Sequence, residues 1–224
     1  MKPRVKLADS ITPNGGCMAL YEHDGAFSVS LNGKELMHSK VTASESLLGR
    51  IGIDQLNKDT STRVLIGGLG LGFTLKSVLA SENPKMKVVL AELVPEVIEW
   101  NRTFLKSLNG VLLDDPCVDV KRVDVIDLIR NTQPRTYDAI LLDVDNGPVA
   151  MVDVNNDKLY STSGIRLMFR ILKKGGRIAV WSAGPDLKFE NRLSEVSCKF
   201  QSVPAKVYDG AKRARNMLYI IDPN

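Results

Sequence analysis

Four glycines, Gly67, Gly68, Gly70 and Gly72, crowd the segment VLIGGLGLGF at residues 64–73, directly after an apolar run. Glycines at such a turn allow positive φ, and they let backbone N–H groups approach a ligand without interfering side chains. The spacing of Gly68, Gly70 and Gly72 is G-x-G-x-G. It is neither the G-x-G-x-x-G of dinucleotide sites nor a loop ending in Gly-Lys-Ser/Thr. No basic residue lies between Ile66 and Leu75 to meet a pyrophosphate. Glu92 ends the next apolar run, twenty residues beyond Gly72, where an acid can accept hydrogen bonds from both ribose hydroxyls. Asp124 follows the run after that, where an adenine edge can lie. Glycines and acids together fit a nucleoside site. The plainer alternative is a glycine turn that serves only helix–sheet packing.

A second acidic group stands at DVDNGP, residues 143–148. Asp143 and Asp145, two apart on extended chain, point to one side. Here too a plainer reading exists: aspartates at a strand end, followed by an Asn-Gly turn fixed by Pro148. Glu92, Asp124, Asp143 and Asp145 on one rim make a negative pocket, which attracts cations and repels phosphates. An amine arriving there is protonated, with a pKa near 10.4 for a lysine-like group. Asp143 is the candidate general base and counter-charge. His38, in ELMHSK, reads as a hairpin polar group, and Trp100 and Trp181 as core residues.

These residues need strands to hold them. From residue 63, short apolar runs alternate with helical patterns. Strands are expected at RVLIGG, KVVLAE, VDVKRV, YDAILLDVD and RIAVWSA. Helices are expected at FTLKSVLAS, at PEVIEWNRTFLKSL (closed by Gly110), at VIDLIRN, and at TSGIRLMFRILKK (closed by Gly175-Gly176). Such alternation predicts an α/β, doubly wound, Rossmann-like sheet, mostly parallel, with ligands at the carboxyl ends of its strands. FQSVPAKVYDG and RNMLYIID predict a C-terminal antiparallel pair. Ahead of this domain, expected over 61–224, residues 1–60 form a β-hairpin region marked by Asp24-Gly25 and Asn32-Gly33. A short helix, ASESLLGRIGIDQL, ends that region, with Ser44 as its expected N-cap.

The segments VLIGGLGLGFTLKSVL, AELVPEVIEWNR, YDAILLDVDNGP, LYSTSGIRLMFRILKKGG and AVWSAGPD resemble the spermidine synthase-like (polyamine aminopropyltransferase-like) family. That family has the class I methyltransferase-type fold, which binds S-adenosylmethionine or its decarboxylated form. The resemblance implies that Gly68, Gly70 and Gly72 face the nucleoside and amino-acid parts of that compound. Glu92, with Leu93 beside it, would hold the ribose, and Asp124 and Val125 would flank the adenine. Asp143 would be the active-site aspartate, also touching the cofactor, while Asp145, Asn146 and Tyr160 would face the acceptor. The implied activity is transfer of an aminopropyl or methyl group to a small amine. Electrostatics agree, because a sulfonium is a cation and suits an acidic pocket better than NAD does. A homodimer is expected from the resemblance alone.

Several positions depart from the family pattern. Leu71 stands where aminopropyltransferases carry an aspartate inside the glycine loop. Of their Tyr-His-Glu segment, KVTASESLLGR offers Glu45 as the one comparable residue. Cofactor binding therefore carries over more firmly than polyamine synthesis. A methyltransferase and a non-catalytic cofactor-binding homologue remain alternatives.

The chain has 224 residues, with 44% hydrophobic residues and a net charge of +4. These values suit a soluble domain, and the charge falls short of a dedicated nucleic-acid binder. Lys212, Arg213 and Arg215 in AKRARN read as a solvated loop that could steer an anionic partner. Cys17, Cys117 and Cys198 are scattered, which predicts neither disulfides nor a metal site. With no signal-like N-terminus and no apolar run of membrane-spanning length, a cytoplasmic protein is expected.

Overall fold

In the computed structural model, residues 3–12, 15–144 and 156–223 are described, the side chains of 156 and 157 excepted. Two sheets make up the frame. The first is antiparallel, in the order β1 (Val5–Ile11), β2 (Cys17–His23), β3 (Ala26–Leu31), β4 (Lys34–His38). Both predicted hairpin turns are present, with positive φ at Asp24, Gly25, Asn32 and Gly33. β1 is a fourth strand that weak alternation hid from the sequence.

α1 (Ala43–Ile53) follows, then β5 (Thr62–Gly67), α2 (Phe73–Leu79), β6 (Met86–Glu92) and α3 (Pro95–Arg102). A 3-10 turn (Gly110–Asp114) leads to β7 (Val118–Arg122), α4 (Val125–Asn131) and β8 (Tyr137–Leu142). The chain closes with α5 (Asn156–Leu159), α6 (Thr162–Ile171), β9 (Leu172–Ser182), α7 (Leu187–Ser194), β10 (Cys198–Ala205) and β11 (Asn216–Pro223). The second sheet has the order β10-β11-β9-β8-β5-β6-β7. β5, β6, β7, β8 and β9 run parallel, while β11 pairs antiparallel with both β9 and β10. This is the expected doubly wound, mostly parallel α/β sheet, with the expected C-terminal antiparallel pair.

Central strands buried on both faces alternate between two cores. Val64, Ile66 and Leu141 face the core shared with α1, α2 and α3. Leu65, Ile140 and Leu142 face the core shared with α4, α6 and α7. The chain leaves β5 toward β6 and β7, then returns to place β8 on the other side of β5. The switch point therefore lies between β5 and β8.

Three local expectations are corrected. α3 stops at Arg102, where the run to Leu108 was expected, and Phe104 is exposed. There the chain folds back so closely that a Cβ on Gly110 would lie 1.8 Å from Asn101 O. α6 stops at Ile171 rather than at Gly175-Gly176. Its last carbonyls are taken by Arg135 N (3.1 Å) and Thr136 N (2.7 Å), and Leu172 already pairs with Tyr137 as β9 begins. Thr42, not Ser44, occupies the N-cap of α1; Ser44 lies buried within the first turn. α7 is a helix beyond those expected. No helix among the described residues is long and apolar enough to cross a membrane.

Candidate active site at the strand switch

The site is built where the parallel ladders run out. Gly68 N donates to Ala91 O (2.8 Å), Asp143 N to Gly67 O (2.8 Å) and Val123 N to Glu92 O (3.0 Å). Strand pairing thus carries the glycine loop, Glu92 and Asp143 to one edge, and Asp124 follows β7 at the same edge.

Gly68 has φ +91°, and a Cβ there would lie 2.1 Å from Asp143 O. Only glycine permits this approach of loop to strand end. Gly70 has φ +50°, and a Cβ there would lie 3.1 Å from Met37 Sδ, so β4 of the first sheet lies close over the loop. Gly72 caps α2 in left-handed conformation.

Beneath the loop lie two buried side chains that the sequence reading did not single out. Asn101 Nδ2 donates to Gly70 O and Val97 O, both at 2.9 Å. Asn109 Nδ2 donates to Leu71 O at 2.8 Å. Their signal in the sequence is faint: a polar residue on the buried side of an amphipathic helix, and one just before Gly110. Leu71 is itself buried and packs in the first core.

Glu92 is buried, and its carboxylate accepts from Leu69 N (2.9 Å) and Val94 N (2.8 Å). Burial pushes its carboxyl up from the ordinary value, while the N–H groups of Val94, Leu69, Leu93 and Gly70 pull it back. Glu92, the residue expected to hold the ribose, here braces the glycine loop through Leu69 N. Leu93 is 37% exposed beside it. Asp124 caps α4, accepting from Ile126 N at 3.0 Å. Val125 is buried against Gly67.

On the other side of β5, Asp143 Oδ2 accepts from Thr74 Oγ1 at 2.6 Å. Burial pushes the Asp143 carboxyl up to about 7, the neighbouring Glu45 carboxylate adds to the rise, and the Thr74 hydroxyl opposes it. Glu45, in the first turn of α1, is likewise raised by burial and accepts from Ser44 Oγ at 2.6 Å. Two carboxyls with raised values thus stand together, one in the first turn of α1 and one just after β8. The sequence offered Asp143 directly and Glu45 through one matching letter; Thr74 carried no signal beyond its place in α2.

Asp145 and Asn146 lie outside the described residues. Tyr160 is described, and its ring is fully buried against Phe189, edge-on at 5.6 Å. That places the ring in the second core, on the face of the sheet opposite Asp143. His38 Nδ1 accepts from Lys40 N at 3.1 Å at the end of β4.

Comparison with known proteins follows the same outline. Residues 46–205 match the family model described as the spermine/spermidine synthase domain. A polyamine aminopropyltransferase 1 from Streptomyces coelicolor is 35% identical over 126 residues, which are 55% of this chain and 23% of that protein. The chain thus matches less than a quarter of that relative's length. A crystal structure of spermidine synthase in complex with the transition-state analogue AdoDATO superposes with a TM-score of 0.78 at 20% identity. It covers 97% of this chain and 73% of that one. Human methyltransferase-like protein 13 in complex with SAH superposes with a TM-score of 0.58 at 19% identity, covering 81% and 80%. At these identities the structural likenesses establish the fold.

Proposed function

We propose, from the premise that this chain belongs to the spermine/spermidine synthase family, that it transfers an aminopropyl group from decarboxylated S-adenosylmethionine to an amine. The observation that carries this reading is the Asp143–Thr74–Glu45 group beside the glycine loop, at the strand switch. The names borne by the aminopropyltransferase relatives support the same group transfer.

The loop fits a nucleoside sulfonium. Its backbone approaches Asp143 more closely than any side chain would permit, and the surrounding charge is negative. Gly68, Gly70 and Gly72 would offer main chain, Glu92 the ribose acceptors, and Asp124 and Val125 an adenine edge. When bound, the sulfonium supplies an electrophilic carbon whose bond to sulfur breaks as a nitrogen–carbon bond forms, the sulfur leaving with the electron pair as a thioether. The chain's own part is to hold the acceptor and manage its proton. Asp143 and Glu45 draw in the ammonium, and its charge relieves the cost of burying both carboxylates. A carboxyl near 7 is poised to take a proton at neutral pH. Thr74 fixes Asp143 by donating to Oδ2, which leaves Oδ1 for the acceptor nitrogen. Asp145 and Asn146 remain part of the proposed acceptor side through their place two and three residues after Asp143.

A second reading, methyl transfer from S-adenosylmethionine, is favoured by one observation: Leu71 is buried where a loop aspartate would hold the amine of the decarboxylated compound. Titration calorimetry with both sulfonium compounds decides between them. Tighter binding of the decarboxylated form supports aminopropyl transfer, and preference for the carboxylated form overturns it. A cytoplasmic location fits this chemistry, since both reactants are small and soluble.

A further inference from the structure

Trp181 and the loop between β10 and β11 together describe the acceptor. In the β8–β9 pairing, Leu142 lies opposite Val180, so the next residues along, Asp143 and Trp181, are neighbours across the two strands. Leu141 and Ala179 face the first core, and Trp181 packs against that same core. By alternation, the side chains of Asp143 and Trp181 leave the sheet on one face. The indole Nε1–H is buried and has no partner among the described residues. Indole only donates, and a buried donor without an acceptor is unfavourable. It calls for an oxygen, which an ammonium cannot supply.

The loop of residues 206–215 gives the second observation. Lys206, Lys212, Arg213 and Arg215 are exposed there, against one acid, Asp209. Both roots of this loop are tied to the first turn of α1. Ala43 N donates to Val207 O at 3.2 Å. Asn216 Nδ2 donates to Ser44 Oγ at 2.9 Å, and Ser44 Oγ donates to Glu45 Oε2 at 2.6 Å. Two separate ties, one at each root, therefore set the basic loop beside the first turn of α1, and the Asn216–Ser44 tie runs on to Glu45. A polyamine would meet repulsion at this loop and leave the indole donor unmet.

We propose that the acceptor is a small amine that also bears a carboxylate. Its ammonium lies against Asp143 and Glu45. Its carboxylate takes up the Trp181 Nε1–H and faces Lys212, Arg213 and Arg215. This inference rests on the group-transfer reading above. The nitrogen gives up its proton to Asp143 and its lone pair to the new carbon bond, and the carboxylate is unchanged.

The test is a competition between acceptors of matched length. The whole chain is incubated with S-adenosylmethionine or its decarboxylated form and either 4-aminobutyrate or 1,4-diaminobutane, and product masses and initial rates are read. The expected result is at least a tenfold higher kcat/KM for the amino carboxylate. That ratio should fall about tenfold in Trp181→Phe, which keeps the ring and loses the donor. It should fall to a similar extent in the surface variant Lys212→Ala/Arg213→Ala/Arg215→Ala. Preference for the diamine, with the ratio unmoved by either variant, overturns the inference and leaves group transfer standing. No product from either amine, while calorimetry shows the sulfonium bound, overturns group transfer and this inference with it.

Discussion

At the smallest scale stand the two carboxyls of the proposed acceptor side, Asp143 and Glu45. The folded value of Asp143, about 7, lies above the ordinary 3.8. For such a group the stabilising contribution is complete below about pH 4 and is lost as pH rises through about 7. The unliganded protein should therefore lose stability, on the order of 1 kcal/mol per pH unit, as pH rises across that window. Asp143→Asn should flatten the loss. Melting curves at pH 5 and pH 8 check this, and an unchanged difference between wild type and variant would refute it. The same variant should lower kcat by about 10²- to 10⁴-fold. Glu45→Gln should act differently. With the neighbouring charge gone, the Asp143 carboxyl drops toward the ordinary range, and the acid limb of the kcat/KM profile moves to lower pH. A limb that stays in place would mean that Glu45 and Asp143 do not share a field.

Elements matter here through their ends. Gly68→Ala sets a Cβ 2.1 Å from the Asp143 carbonyl oxygen, with φ at +91°. Neither atom belongs to a flexible side chain, so strand or loop must move. A loss of several kcal/mol is expected, seen as a fall of about 10 °C in Tm. A variant that melts with the wild type would show that the loop does not press on β8. Much of this scale was legible in the residues. RVLIGG, KVVLAE and YDAILLDVD read as buried strands, and the acids at their ends landed on one edge because parallel strands place their carboxyl ends together. The misses have physical causes. α6 ends early because residues 135 and 136 capture its carbonyls from a distant part of the chain, which no local pattern announces. Asn101, Asn109 and Thr74 act through contacts 31 to 69 residues away, so their types alone were ordinary.

Across the whole molecule, one arginine links α1 to the closing strands. Arg177 Nε and Nη2 grip Asp222 (2.8 and 3.1 Å), while Nη1 reaches Asp54 Oδ1 (2.6 Å) and Ile51 O (3.2 Å). Its side chain is 16% exposed, but the Asp54 and Asp222 side chains are 53% and 47% exposed, so the guanidinium is shielded while the carboxylates stay half in water. Arg177→Met keeps the bulk, leaves Ile51 O and two carboxylates without their donor, and should cost about 1–3 kcal/mol. A lower urea midpoint with unchanged m-value is the expected readout. An unmoved midpoint would mean that the tie contributes nothing. Because α1 carries Glu45 at its other end, this tie also helps hold that carboxyl in place.

The asparagine clamp has a kinetic corollary. Buried amides grip the carbonyls of Gly70 and Leu71 from below, so the proposed cofactor berth is expected to be preorganised. Capture should then be one bimolecular step, with a stopped-flow rate that climbs linearly with ligand concentration and shows no plateau from a slow rearrangement.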